Sequence, residues 1–201
     1  LMSIALVILA AGKGTRMQSD LPKVLHEIAG APMLVHTMVA GQSLDPERCI
    51  IIAGHGSDAV RDVVQNHNSN AEIILQTEQL GTGHAVDQAR DALAGFTGNV
   101  IVLYGDSPLI QAETLETLSA SLSHSAVTVL GFEAKDPGRY GRLITNDDNL
   151  KRIVEFKDAS DAEKSMNLCN SGVMAVAAPL LFELLSEIDN KNASGEYYLT
   201  D

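Results

Sequence analysis

Apolar, β-branched runs of strand length recur along the chain at residues 5–9, 49–52, 72–75, 100–103 and 126–130. Segments of helical length and period separate them, at residues 32–42, 57–67, 82–93 and 112–122. Parallel neighbours need a crossover between them, so this alternation predicts an α/β protein with a mostly parallel sheet and helices on both faces. Ligands of such sheets gather beyond the carboxyl ends of the strands. The pattern changes after about residue 131. Asp136-Pro137-Gly138 is turn-rich, and residues 142–145 and 151–156 flank Asn146-Asp147-Asp148-Asn149 as a hairpin would. A further strand is expected at 171–177 and a helix at 179–188, with Pro179 near its first turn. The organisation expected is one domain over 1–201, with a first lobe at 1–131 and a smaller mixed β lobe at 132–201 sharing one core.

Composition narrows the function classes. The chain has 201 residues, 45% of them hydrophobic and 20% charged, which excludes collagenous and disordered readings. Its 26 acidic against 14 basic residues give a net charge of −12, which opposes attachment to nucleic acid or to an anionic membrane. Cys49 and Cys169 have neither metal-ligand nor redox spacing. The longest apolar run, Ile4 to Ala11, is too short to span a bilayer, and no basic region precedes it as in an export signal. A cytoplasmic protein is expected, and Asn192-Ala193-Ser194 is then a chance match to a glycosylation acceptor.

The most specific local feature is the glycine-rich loop after the first strand, Leu9-Ala10-Ala11-Gly12-Lys13-Gly14-Thr15-Arg16-Met17, followed by Pro22-Lys23. A dinucleotide fingerprint would need glycine where Met17 stands, and a Walker loop would need Ser or Thr directly after Lys13, where Gly14 stands. The loop suits phosphates in another arrangement: Gly12 and Gly14 bring backbone N–H groups close, while Arg16 and Lys23 supply charge. Between Gly12 and Lys23 three cations face Asp20 alone, a local excess of positive charge on an acidic chain. Charge-assisted hydrogen bonds of about 1.5–3 kcal/mol each would hold a polyanion there.

The pattern Leu-x-x-Gly-x-Gly-x-Arg, five residues, then Pro-Lys resembles the signature of the sugar-1-phosphate nucleotidyltransferases. It is most similar to the uridyltransferase domains of bacterial bifunctional uridyltransferase/acetyltransferases. The likeness extends through residues 76–85 (Gln76-Thr77-Glu78-Gln79-Leu80-Gly81-Thr82-Gly83-His84-Ala85), Tyr104-Gly105-Asp106, Tyr140-Gly141-Arg142, Ile153-Val154-Glu155, Asn170-Ser171-Gly172 and Gly195-Glu196-Tyr197-Tyr198. It implies a Rossmann-like nucleotide-diphospho-sugar transferase fold and uridylyl transfer from UTP to N-acetylglucosamine 1-phosphate. The acetyltransferase half of such proteins is a hexapeptide-repeat domain through which a homotrimer would form. No such repeat occurs in this sequence.

Carried over by the resemblance, Leu9, Ala10, Ala11 and Gly12 contact the nucleotide, and Gln76, Gly81 and Thr82 recognise the uracil. Arg16 and Lys23 are the catalytic cations, offsetting charge between the α-phosphorus and the departing pyrophosphate. Tyr104, Gly105 and Asp106 are further substrate contacts, although Tyr104 taken alone reads as a packing residue, and Gly141, Glu155 and Asn170 hold the sugar. Glu196-Tyr197-Tyr198 would help close the sugar pocket. His84 reads as structural. A bare carboxylate about 4 Å from a phosphate charge costs about 4 kcal/mol at an effective dielectric constant of 20, so Asp106 is expected to hold a magnesium ion (Mg2+) between them. The resemblance puts a second metal ligand beyond residue 201. Two alternatives stay open: a binding module that holds a UDP-sugar without turning it over, and a transferase using another sugar 1-phosphate or dTTP.

Overall fold

The computed structural model describes residues 2–12, 14, 19–54, 56–147 and 149–201. Its centre is a run of parallel strands in the order β5, β4, β1, β6, formed by β1 (Ile4–Ala10), β4 (Arg48–Ala53), β5 (Glu72–Leu75) and β6 (Asn99–Tyr104). Residues 5–10 of β1 are buried, as are Cys49 to Ala53 of β4. Strands covered on both faces need apolar side chains at every position, which is why their sequences are continuous runs rather than alternations.

Successive residues of β1 point to opposite faces. Leu6, Ile8 and Ala10 pack with α1 (Met33–Gln42), α2 (Ser57–His67) and α4 (Ala112–Ala120). Ala5, Val7, Leu9 and Ala11 pack with α3 (Thr82–Asp87) and α6 (Ala178–Leu185). The expected α/β architecture with helices on both faces is therefore present. On α2 Val60 and Val64 are buried, one turn apart, with Val63 packed beside them, so a narrow stripe docks that helix.

Register positions the functional end of the sheet. Ala10 lies opposite Ala53, Leu9 opposite Tyr104, and Ala53 opposite Leu75. Four strands thus end at nearly one level, and the chain leaves each of them into the same space. On the far side, β10 (Leu168–Ala177) runs antiparallel to both β6 and β7 (Val127–Glu133). The hairpin of β8 (Arg142–Asn146) and β9 (Asn149–Val154) joins this same sheet where Cys169 pairs with Arg142. An irregularity between Asn170 and Met174 bends β10, and Gly172 sits in it with φ 89°.

Several elements differ from expectation. The helix expected over 82–93 ends at Asp87 and continues as turns. Beyond it Ala89, Arg90, Ala94 and Phe96 donate to carbonyls three residues back, a tighter winding that still directs Ala89 and Leu93 into the core. Arg90 is turned out to Asp87 and to the carbonyl of Phe182. The helix expected to reach 122 ends at Ala120 in a short 3-10 turn over Ser121–Ser123. Unanticipated elements are a 3-10 turn at Lys23–Leu25, the two-residue hairpin of β2 (Glu27–Ile28) and β3 (Ala31–Pro32), and α5 (Asp161–Lys164). Among the described residues no helix is long and apolar enough to cross a membrane.

Helix α1 lies so close to the sheet that a Cβ at Gly41 would fall 2.6 Å from Cδ1 of Leu6 and 3.4 Å from Cδ1 of Leu103, both fully buried. Replacing glycine by alanine within a helix ordinarily adds about 1 kcal/mol, whereas overpacking a tight core costs about 1–3 kcal/mol. Gly41→Ala is therefore expected to lower stability by about 1 kcal/mol, read as a lower urea midpoint. A raised midpoint would show that the helix can move away at no cost.

Candidate active site

The ends of β1, β5 and β6 border a cavity of about 360 Å³. Leu9, Ala11 and Gly12 line it from β1, Gln76 from the end of β5, and Tyr104 and Asp106 from the end of β6. Gly81, Thr82 and Lys23 complete the set expected from the sequence. A side chain at Gly12 would meet no atom within 4 Å, so its backbone borders open space. Gly14, with φ 57°, is pressed against Lys23: a Cβ there would lie 2.7 Å from that of Lys23. Gly14 and Lys23 are thus packed together. Lys13 and Arg16 lie outside the described residues.

Ala10 and Gly105, expected as contacts, do not reach the cavity wall. Ala10 faces the opposite side of the sheet, in the core with Leu6 and Ile8. Gly105 is buried, donating its N–H to the Leu9 carbonyl at 2.9 Å, and a Cβ there would press on Leu34 and Val24 at 3.1 Å. It holds β6 against β1 and leaves Asp106 free to project.

Lys23 Nζ donates to Asp106 Oδ2 at 2.5 Å, joining the expected catalytic cation to the expected metal ligand. Their side chains are 38% and 29% exposed, so water screens the pair and its contribution stays below about 1 kcal/mol. A bond of that strength yields readily to a ligand that offers either partner a stronger one. Among the described residues no group of three or more His, Cys, Asp or Glu side chains is placed to hold a metal. Asp106 alone suits a magnesium ion, which takes one or two protein oxygens and fills its shell with water and phosphate.

The base side is built around Gln76, which is 4% exposed. Its amide N–H extends toward the Gly81 carbonyl at 3.2 Å and toward His84 Nδ1 at 2.9 Å. Gly81 has φ 123°, and a Cβ there would lie 2.4 Å from the Tyr197 carbonyl oxygen. Only glycine fits, because the segment after residue 195 clasps this loop: Tyr197 N–H donates to the Leu80 carbonyl, Gly83 N–H to that of Tyr197, both at 2.8 Å, and Leu199 N–H to the Thr82 hydroxyl at 2.9 Å. The segment places Glu196 on the cavity and then runs to Glu155, whose carboxylate accepts from the Thr200 hydroxyl at 2.9 Å.

Glu155, Gly141 and Asn170 form a second cluster beside the cavity. A Cβ at Gly141 would lie 3.3 Å from Glu155 Oε1, and the Gly141 carbonyl accepts from Asn170 N–H at 2.9 Å. Asn170 Oδ1 accepts from Gly172 N–H at 3.0 Å. Gly172 in turn leaves room for the Tyr104 ring, whose nearest atom would be 2.6 Å from a Cβ there. Tyr104 therefore joins the two groups of residues. Burial pushes its hydroxyl up to about 12, the carboxylates of Glu155 and Asp106 adding to the rise and a hydrogen bond with Thr82 opposing it. It remains a neutral hydroxyl at ordinary pH.

Sequence reasoning missed Gln79, whose Nε2 donates to the Ala11 carbonyl at 2.5 Å and so ties the base-side loop to the glycine loop. It also missed Val24 and Ala85, which supply apolar wall. Gln79 lies in the motif carrying the resemblance, but nothing in its spacing shows the Ala11 contact. A larger hollow of about 560 Å³ lies beyond Glu155. Its rim carries Glu155, Asp158, Glu187, Asp189 and Asp201 against Arg152 and Lys191, a balance that repels a polyphosphate.

A family model described as a MobA-like NTP transferase domain matches residues 6–193. The relative named Bifunctional protein GlmU from Ruegeria sp. (strain TM1040) is 61% identical over 200 residues, covering 100% of this chain and 44% of that protein. Its namesake from Paracoccus denitrificans (strain Pd 1222) is 57% identical over 199 residues, covering 98% and 44%. The chain spans less than half the length of these curated relatives. A UDP-glucose pyrophosphorylase complexed with UDP-glucose has the same fold, with a TM-score of 0.80 at 20% identity over 100% of this chain and 85% of that one. HddC from Yersinia pseudotuberculosis, complexed with GMP-PN, gives 0.69 at 26% identity over 99% and 84%. A model that spans nearly the whole chain, together with a cavity walled by the loop after β1 and two further strand ends, settles the kinship: the chain belongs to the MobA-like NTP transferase domain family and is a nucleotidyltransferase domain.

Proposed function

We propose that this domain transfers a uridylyl group from UTP to N-acetylglucosamine 1-phosphate, giving UDP-N-acetylglucosamine and pyrophosphate. The observation that carries the reading is the continuity from Gln76 through Tyr104 to Glu155: a base-sized cavity and a polar, glycine-lined cluster adjoin across one tyrosine. The likeness to proteins named Bifunctional protein GlmU supports it.

In this reading the base lies against Gln76 and Gly81, and the triphosphate runs over Gly12 toward Lys23. The sugar sits at Gly141, Glu155 and Asn170, where a carboxylate and an amide suit the hydroxyls of a neutral sugar. A phosphate oxygen of the sugar phosphate attacks the α-phosphorus. The bond to the bridging oxygen breaks, and its electron pair leaves with pyrophosphate. Such transfers depend on positioning and charge neutralisation, so the protein needs no nucleophile of its own. Lys23, held loosely by Asp106, turns to the phosphates, and Arg16 offsets charge on the departing pyrophosphate. Asp106 would then hold a magnesium ion, which when bound supplies positive charge against the phosphate oxygens. The nucleotide lobe of residues 1–131 and the sugar lobe of 132–201 divide the two substrates. Any trimer would belong to a longer protein.

Pyrophosphate release from UTP and N-acetylglucosamine 1-phosphate should require magnesium, exceed that with dTTP, CTP or glucose 1-phosphate, and fall on the order of a hundredfold in Asp106→Asn. Tight UDP-sugar binding without pyrophosphate release would favour the binding-module alternative. Arg16→Ala should depress turnover far more than UTP binding, and unchanged turnover at saturation removes Arg16 from the reaction. Glu155→Gln should raise the KM for the sugar phosphate about tenfold with little change in the KM for UTP, as expected for a group that touches only the sugar. A matched rise in both would place Glu155 elsewhere.

A further inference from the structure

The hydrogen bonds around Gln76 determine which way its amide faces. The Gly81 carbonyl can only accept, so the amide atom 3.2 Å from it is the nitrogen, Nε2. One N–H remains on that nitrogen, directed at His84 Nδ1 2.9 Å away. His84 Nδ1 must then be the lone-pair nitrogen of a neutral imidazole, with its proton on Nε2. Gln88 Nε2 also approaches the ring, 3.3 Å from His84 Nε2, but it has the His84 carbonyl as acceptor at 3.1 Å and its ring contact is the longer of the two, so the 2.9 Å contact from Gln76 sets the tautomer. With both donors of Gln76 committed, its carbonyl oxygen Oε1, which has no hydrogen bond among the described residues, is the atom left for a ligand.

That assignment chooses between pyrimidines. Uracil presents a donor at N3–H, whereas cytosine presents a lone pair at N3 and would face Oε1 acceptor to acceptor. To receive cytosine the amide would have to turn over, setting Oε1 against both the Gly81 carbonyl and the His84 lone pair. The Gly81 carbonyl alone blocks this with one long contact; His84 supplies the second and shorter one. We infer that His84 is a specificity-determining positioning residue, which excludes cytosine nucleotides by holding the Gln76 amide in the uracil-accepting orientation. The inference rests on the reading that this cavity holds the base.

The test uses the whole domain and two variants. His84→Leu removes the acceptor, and His84→Asn places an oxygen acceptor close to the position of Nδ1. Binding of UDP and CDP is measured by calorimetry, alongside kcat/KM for UTP and CTP. The preference for the uracil nucleotide should fall about tenfold or more in His84→Leu and stay near wild type in His84→Asn. A folded His84→Leu protein with the full preference overturns the inference, as does loss of preference in a folded His84→Asn protein. Nitrogen NMR of the wild-type protein gives an independent measure, since a protonated Nδ1 on His84 contradicts the network however the variants fold. If the wild type itself shows no preference for UDP over CDP, the base reading of the cavity fails first.

Discussion

Parallel pairing of β1 with β4 on one side and β6 on the other is the constraint on which the rest of the structure depends. The register that sets Ala10 beside Ala53 and Leu9 beside Tyr104 brings the strand ends level, and β5 follows through Ala53 and Leu75. Each chain then leaves the sheet into one volume, with the glycine loop, Gln76 and Asp106 around its rim. Burial on both faces makes the register costly to change, because a slip of one residue would exchange Leu6 and Ile8 with Val7 and Leu9 between cores of different shape. Function is hung on loops, but the geometry of those loops belongs to the sheet.

The second organising feature is electrostatic. A chain of net charge −12 has to receive polyanionic substrates, and it concentrates cations in one short stretch after β1. Pairing Lys23 with Asp106 keeps both groups compensated in the free protein without a deep commitment, since the pair is partly exposed. On the sugar side the arrangement is different: Glu155 is held by the Thr200 hydroxyl, and Asn170 by the backbone of the bent β10, so orientation comes from hydrogen bonds rather than from charge. Tyr104, neutral and packed on Gly172, can adjoin both regions because it brings no charge to either.

Much of this was legible in the amino-acid order. The buried parallel strands announce themselves as unbroken apolar runs, and the period of α2 matches its observed span. The β2–β3 hairpin was not legible, because Ala29 takes φ 51° ahead of Gly30, where Asn or Asp would have marked the turn. Past the early end of α3, Arg90 reaches Phe182 and Ser186, which are far along the chain and have no trace in the local pattern. The α5 start did carry a signal, the Ser160-to-Glu163 capping box. Within the site, strand alternation separates Ala10 from Leu9 and Ala11, so parity alone could have removed Ala10 from the wall. The contacts of Gln79 with Ala11 and of His84 with Gln76 bring loops together in space and have no counterpart in local pattern.

The most direct measurement is a crystal structure of the domain with UDP-N-acetylglucosamine and magnesium. The expected result has the base against Gln76 and Gly81, the diphosphate beside Gly12 with Lys23 drawn away from Asp106, and the sugar between Gly141, Glu155 and Asn170. A nucleotide bound in the acidic hollow beyond Glu155, or phosphates bound with the Lys23–Asp106 pair still closed, would contradict the account.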